Sequence, residues 1–199
     1  VSEALARRHQ AAGAPLVITY PAALFGPDDP KLGDQNGRLR DLLRGLMPFW
    51  PLGHLPVGDV RDTAALHARL FDEPSPPQRV FGPGHHLTTP EFVDVVRAVT
   101  GRKLPALFLP AAAMAPLSRV ADVVQRGWPW HIPAEFGALY ACANARPVAR
   151  ETALERIPPR PVEDTLADTV GWLHRTGRLS ARQAGAAAAA VTPPTAAAA

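Results

Sequence analysis

The sequence predicts an α/β fold with a parallel component and a helical end, and three observations carry that prediction. Leu16-Val17-Ile18-Thr19-Tyr20 is a continuous apolar run rich in β-branched residues, as expected of a strand buried on both faces in a parallel sheet. Strand-like runs then alternate with segments of helical periodicity as far as Leu109, the order that crossover connections produce. Beyond that point only helical spacing recurs.

The elements follow in order. Residues Val1 to Ala12 read as a helix closed by Gly13 at the position after the cap, with Pro15 just beyond. Pro21 ends the first strand, and Gly26-Pro27-Asp28-Asp29-Pro30 opens a long turn-rich loop that reaches Gly37. Arg38 to Met47 is a short helix with Leu39, Leu42, Leu43 and Leu46 on one side. Pro48 to Gly58 is expected to be irregular. Asp62 is a good N-cap for a helix to about Asp72, stopped by Pro74, Pro76 and Pro77. Gln78 to Gly82 reads as a strand. Thr89-Pro90-Glu91 combines cap, proline and first-turn acid, and that helix ends at Gly101. Pro105 to Leu109 is another strand, followed by helices at about Ala111–Arg126 and Pro133–Ala143. The last helix starts at Pro161, spaces Val162, Leu166, Val170 and Leu173 on one face, and stops at Gly177. From Ala181 the Ala/Pro-rich tail has almost no charge and no periodicity, so 181–199 is expected to be disordered. No internal repeat is visible.

Composition narrows the class. The 199 residues are 47% hydrophobic and 20% charged, a globular balance for one domain of ordinary size. The net charge of +3 comes from arginines scattered among acids, without a basic stripe interleaved with aromatics, so no nucleic-acid partner is expected. One cysteine, Cys142, excludes an internal disulfide and a cysteine-based zinc site, and fits a reducing compartment. The longest uncharged run, Leu104 to Ser118, is broken by Pro105, Pro110 and Pro116 and falls short of the roughly 18 apolar residues a spanning helix needs. A soluble, cytoplasmic protein without a membrane span is expected.

Several motifs fail on inspection. Gly82-Pro83-Gly84 begins like a dinucleotide fingerprint, but the third glycine position is Leu87 and Pro83 removes an N–H that a phosphate would want. His85 and His86 are adjacent, so their side chains diverge, and no His-x-x-x-His occurs; no metal site is expected. No serine lies in a Gly-x-Ser-x-Gly elbow. Tyr20 and Tyr140 are followed four residues on by Leu24 and Asn144, so neither forms a Tyr-x-x-x-Lys pair. Nothing in these residues, taken alone, establishes an enzyme.

Four blocks, taken in order, resemble a known family. They are V-I-T-Y-P-A-A-L-F-G-P-D-D-P from Val17, V-G-D-V-R-D-T-A-A-L-H from Val57, T-P-E-F-V-D-V-V-R-A-V-T-G-R from Thr89, and R-P-V-E-D-T-L-A-D-T-V-G-W-L from Arg160. Their sequence resembles extended short-chain dehydrogenase/reductases, the NAD-dependent epimerase/dehydratase family, and within it the dihydroflavonol-reductase-like members. The resemblance covers residues 1–180 and concerns the C-terminal part of such a protein only. It implies the C-terminal part of a Rossmann-like parallel sheet with a small, mainly helical substrate-binding lobe.

The resemblance further implies an NAD(P)-dependent oxidoreductase or epimerase, with NAD or NADP as cofactor. The first helix would continue the one that bears Tyr-x-x-x-Lys, placing that pair, and the glycine-rich turn, upstream of Val1. The isolated chain is therefore expected to be inactive, to need the missing N-terminal half of the same protein, and, by analogy, to form a homodimer. Pro21, Ala22, Ala23 and Leu24 match the stretch whose backbone flanks the nicotinamide, although Pro21 also serves simply to end a strand. Sugar-nucleotide epimerases of the group carry an arginine five residues before the Val of Val-x-Asp, where Leu55 stands relative to Val60; an aliphatic side chain cannot grip a diphosphate. With Phe49, Trp50 and Leu55 nearby, an apolar alcohol or carbonyl substrate is expected, and ordinary core packing accounts for the same residues equally well. The alternative is a non-catalytic binding or scaffold module built on the same fold.

Overall fold

A computed structural model describes residues 2–110, 113, 142, 145–147 and 157–189. The expected helices at 111–126 and 133–143, and the tail beyond 189, lie outside the described residues. Helix α1 (Ser2–Ala11) buries no side chain and ends before Gly13, which takes the left-handed φ of +86°. The chain then forms two short strands, β1 (Ile18–Tyr20) and β2 (Ala23–Phe25), on either side of Pro21-Ala22. The apolar run is thus a strand in a parallel pair, shorter than its sequence suggests.

Helix α2 is Asp34–Leu43, four residues earlier than its leucine spacing predicts. Gly45 at φ +78° lies just past its end, which leaves Leu39, Leu42 and Leu43 buried while Leu46 is 60% exposed. The stretch expected to be irregular holds two strands, β3 (Phe49–Leu52) and β4 (His54–Asp59). Pro56 lies one residue ahead of the β2 register, where, among the described residues, β4 is flanked by β6 alone and a missing N–H is tolerated.

Helix α3 is Val60–Asp72, and its N-cap is Asp59 rather than Asp62, because the Asp59 carboxylate accepts from the Arg61 N–H at 2.8 Å. Strands β5 (Arg79–Phe81) and β6 (His85–Thr88) flank Gly82-Pro83-Gly84. Helix α4 (Thr89–Thr100) opens on a full capping box between Thr88 and Glu91 and closes on Gly101 at φ +65°. Strand β7 (Leu107–Pro110) and helix α5 (Val162–Arg175) complete the main frame.

β1 pairs parallel with β5, β2 parallel with β4, and β3 parallel with β7; β6 runs antiparallel along the other side of β4. The core lies where α2, α4 and α5 meet these strands. Phe25, Trp50 and Phe92 form its aromatic centre, with ring centroids 5.5 Å apart for Phe25–Phe92 and 5.8 Å for Trp50–Phe92. Leu166, Val170 and Leu173 of α5 are fully enclosed, as their spacing predicts.

The expected disordered tail is corrected over its first nine residues. Ala181–Ala184 forms a short helix, α6, capped by Ser180 and Gln183, and Gly185–Ala189 continues as a 3-10 turn. Ala184 and Ala187 enter the core, and Arg102 donates to the Gln183 carbonyl at 2.9 Å. Small side chains are what let this segment lie close against α4 and α5: a Cβ at Gly185 would run into the Thr100 carbonyl oxygen.

Candidate functional site

The stretch matched to the nicotinamide edge is placed by a crossing of three backbones. Pro21 is exposed at the exit of β1, and Ala22 to Leu24 are half-buried. The Ala22 methyl sits between two glycines. A Cβ on Gly58 would stand 3.0 Å from it and 2.9 Å from the Pro83 carbonyl oxygen, and a Cβ on Gly84 would stand 3.1 Å from it and 2.7 Å from the Val57 carbonyl oxygen. Neither distance is available to a real side chain next to backbone. The missing side chains at Gly58 and Gly84 therefore fix the course of Pro21–Ala23, which bears only a proline ring and two methyls. A flat ring can approach such a segment closely.

One residue beyond Gly58 begins a charged network. The Asp59 side chain, 1% exposed, is gripped at both oxygens by Arg61, at 2.9 Å from Nε to Oδ1 and 2.6 Å from Nη2 to Oδ2. It also accepts from the Thr165 hydroxyl at 2.9 Å. The third arm of Arg61 reaches Asp168 on α5 at 2.7 Å. Burial pushes the Asp59 carboxyl up; the hydrogen bonds from the Arg61 side chain, the Arg61 N–H and Thr165 outweigh it and hold the group below the usual carboxylate range. Arg61 is in turn held more firmly protonated.

The segment leading into α5 is tied to the same corner. The Arg160 N–H donates to Asp62 at 2.7 Å, its carbonyl lies 2.8 Å from His85 Nε2, and its Nε is 3.6 Å from both Asp59 and Asp62. His86, the neighbour of His85, points to the opposite face and stacks on His54. The expected divergence of the two histidines is what the strand produces.

The residues expected on the substrate side are separated by the alternation of β3. Trp50 is 7% exposed and faces the core, with its indole N–H donating to the Met47 carbonyl at 3.0 Å. Phe49 points outward, 50% exposed, directly across the ladder from Leu107 at 53%. Leu55 lies opposite Leu87 and packs against the core. Of the three, Phe49 alone offers a broad apolar face. Sequence reasoning missed Gly58 and Gly84 as a pair, and the partners of Arg61. The only signal for the latter was the charged V-G-D-V-R-D block itself.

Among the described residues, no three histidine, cysteine or acidic side chains are grouped to hold a metal, and no helix is long and apolar enough to cross a membrane. No family model and no curated protein matches the chain. Solved structures do. They include gox2253, with 21% identity, a TM-score of 0.68, and coverage of 90% of this chain and 55% of that one. PA4631, a nucleoside-diphosphate-sugar epimerase from Pseudomonas aeruginosa, matches with 16% identity, TM-score 0.63, and 88% and 53% coverage. UDP-glucuronic acid 4-epimerase from Bacillus cereus, solved with UDP-glucuronic acid and NAD, matches with 11% identity, TM-score 0.54, and 87% and 50% coverage. The chain spans about half the length of these structures. It carries an α/β fold with a parallel, Rossmann-like sheet flanked by helices, shared with these structures.

Proposed function

We propose that this chain is the substrate-side half of an NAD(P)-dependent oxidoreductase that acts on an apolar alcohol or carbonyl compound. The observation that supports it best is the glycine-seated crossing at Ala22, a tightly fixed segment of small residues at the exit of a parallel strand. In this reading the backbone of Pro21, Ala22, Ala23 and Leu24 lies along the nicotinamide of NAD or NADP, which supplies the hydride. Small side chains there exclude water without holding the ring away. Phe49 offers the substrate side its apolar face, while Trp50 and Leu55 pack toward the core. Leu55 cannot grip a diphosphate, which favours an apolar substrate over a sugar nucleotide.

The glycine-rich turn and the Tyr-x-x-x-Lys pair come from the missing N-terminal half, whose strands would pair with the side of β1 that has no strand partner among the described residues. A homodimer and a cytoplasmic location belong to the same reading. The test has two parts. Titrating this chain with NADH while following nicotinamide fluorescence is expected to show no micromolar binding. Expressed together with the sequence coded upstream of Val1, it is expected to reduce or oxidise members of a panel of apolar carbonyls and alcohols. Absence of turnover with either cofactor refutes the oxidoreductase reading and favours the non-catalytic module.

A further inference from the structure

The β4–β6 ladder carries a pair of histidines that the proposed function does not use. His54 lies opposite Thr88 and His86 opposite Pro56, so the two rings are diagonal neighbours on one face of an antiparallel pair. They stack with centroids 4.9 Å apart and planes inclined by 21°. His86 Nε2 is enclosed by protein and meets no hydrogen-bond partner among the described residues. A neutral imidazole tolerates this, since the second nitrogen can carry the proton. An imidazolium cannot: it places an N–H where there is no acceptor, and a charge against a second imidazole.

We propose that the His54–His86 stack is a proton-sensitive latch on the β4–β6 ladder, closed while both rings are neutral and released when His86 takes a proton. Burial, and secondarily the neighbouring His54, lowers the affinity of His86 for that proton, in agreement with the geometry. Among the described residues, the charged groups around the ladder have partners of their own. On α4, which packs on both strands, Glu91 is the acid whose field reaches His54, and its Oε2 is occupied by the Thr88 N–H and hydroxyl. Asp94 and Arg97 of α4 pair with each other. On β6, His85 faces away and bonds the Arg160 carbonyl; at the far end of β4, Asp59 is neutralised by Arg61. The ladder brings Gly58 and Gly84 against Ala22, so release loosens that seat.

The experiment is amide exchange of this chain at Val57 and Leu87, with helix α5 as internal reference, between about pH 5 and 8, where an imidazole titrates. The folded His86 binds its proton less readily than the free side chain, so opening is expected to rise as pH falls below the ordinary imidazole value. One proton limits the slope to about tenfold per pH unit. His86→Phe keeps a ring in the stack but cannot titrate, and is expected to flatten the response. Ladder exchange that follows α5 at every pH, or that keeps its pH dependence in H86F, overturns the proposal. Should H86F not fold, the His86 ring resonance of the unaltered chain decides. A ring that titrates in the ordinary range without change in ladder exchange overturns the latch, and a depressed titration that coincides with ladder opening supports it.

Discussion

Replacing Arg61 by methionine tests whether the network at the β4–α3 junction holds the fold together. Arg61 makes three side-chain hydrogen bonds of 2.6–2.9 Å, two to Asp59 and one to Asp168, whose side chains are 1% and 8% exposed. Methionine retains the bulk and removes every one of them, taking from the buried Asp59 carboxylate its principal cation and from Asp168 one of its bonds. Removing one partner of a buried ion pair costs about 3–5 kcal/mol. Thr165 still donates to Asp59 and Arg160 stands 3.6 Å away, so the lower end applies, about 3 kcal/mol. With a urea m-value of about 2 kcal/mol/M, the midpoint falls by about 1.5 M.

The pH dependence provides a second check. In the unaltered chain the Asp59 pKa is depressed by folding, so its contribution is present above the unfolded carboxylate value and is lost as pH falls through the folded one. In R61M burial dominates and raises the same pKa, so Asp59 destabilises at neutral pH and is relieved on acidification. The gap between the two proteins should therefore narrow toward about pH 4, the unfolded carboxylate value. A midpoint within about 0.3 M of the unaltered chain at pH 7, or a gap that widens in acid, would refute the assignment of Arg61 as the cation that holds this corner.

Two further outcomes follow from packing. Gly84→Ala forces a methyl against the Val57 carbonyl and the Ala22 methyl, and is expected to destabilise by about 1–3 kcal/mol in urea melts; a neutral effect would show that the crossing is loose. Ending the chain after Ser180 removes Ala184 and Ala187 from the core and the Gln183 carbonyl from Arg102, whereas ending it after Ala189 keeps all three. Thermal melting should drop for the shorter protein only, and equal midpoints would return the segment to the status of a passive tail.

Local patterns made most of the frame legible, because they are set by neighbours in sequence. The β-branched run became β1, the Thr89-Pro90-Glu91 signal became a helix start whose cap is Thr88, one residue earlier than read, and the 162/166/170/173 spacing became the inner face of α5. Where distant residues decide, the pattern misled. The 48–58 stretch read as irregular, yet holds β3 and β4; Pro51 and Pro56 are tolerated there because, among the described residues, each is flanked by one strand only. Asp62 looked like the cap of α3, yet a backbone group 98 residues away claims it and Asp59 takes that place. Alanine in the 181–189 stretch looked like low-complexity filler and is the size that fits against α4 and α5. At the candidate site, the small residues after Pro21 were visible in one dimension; the glycines that seat them come from two other strands.

The two flanks of that segment are held with unequal strength. Upstream, β1 and β5 make a three-residue ladder, and α1 leans on it through Gln10, without burying a side chain. Downstream, β2 joins β4, whose last three residues are buried and ionically pinned. Local opening should therefore begin at the amino-terminal corner and stop at Pro21. A binding surface placed at that border keeps a firm wall on one side while the other remains free to accommodate whatever docks there.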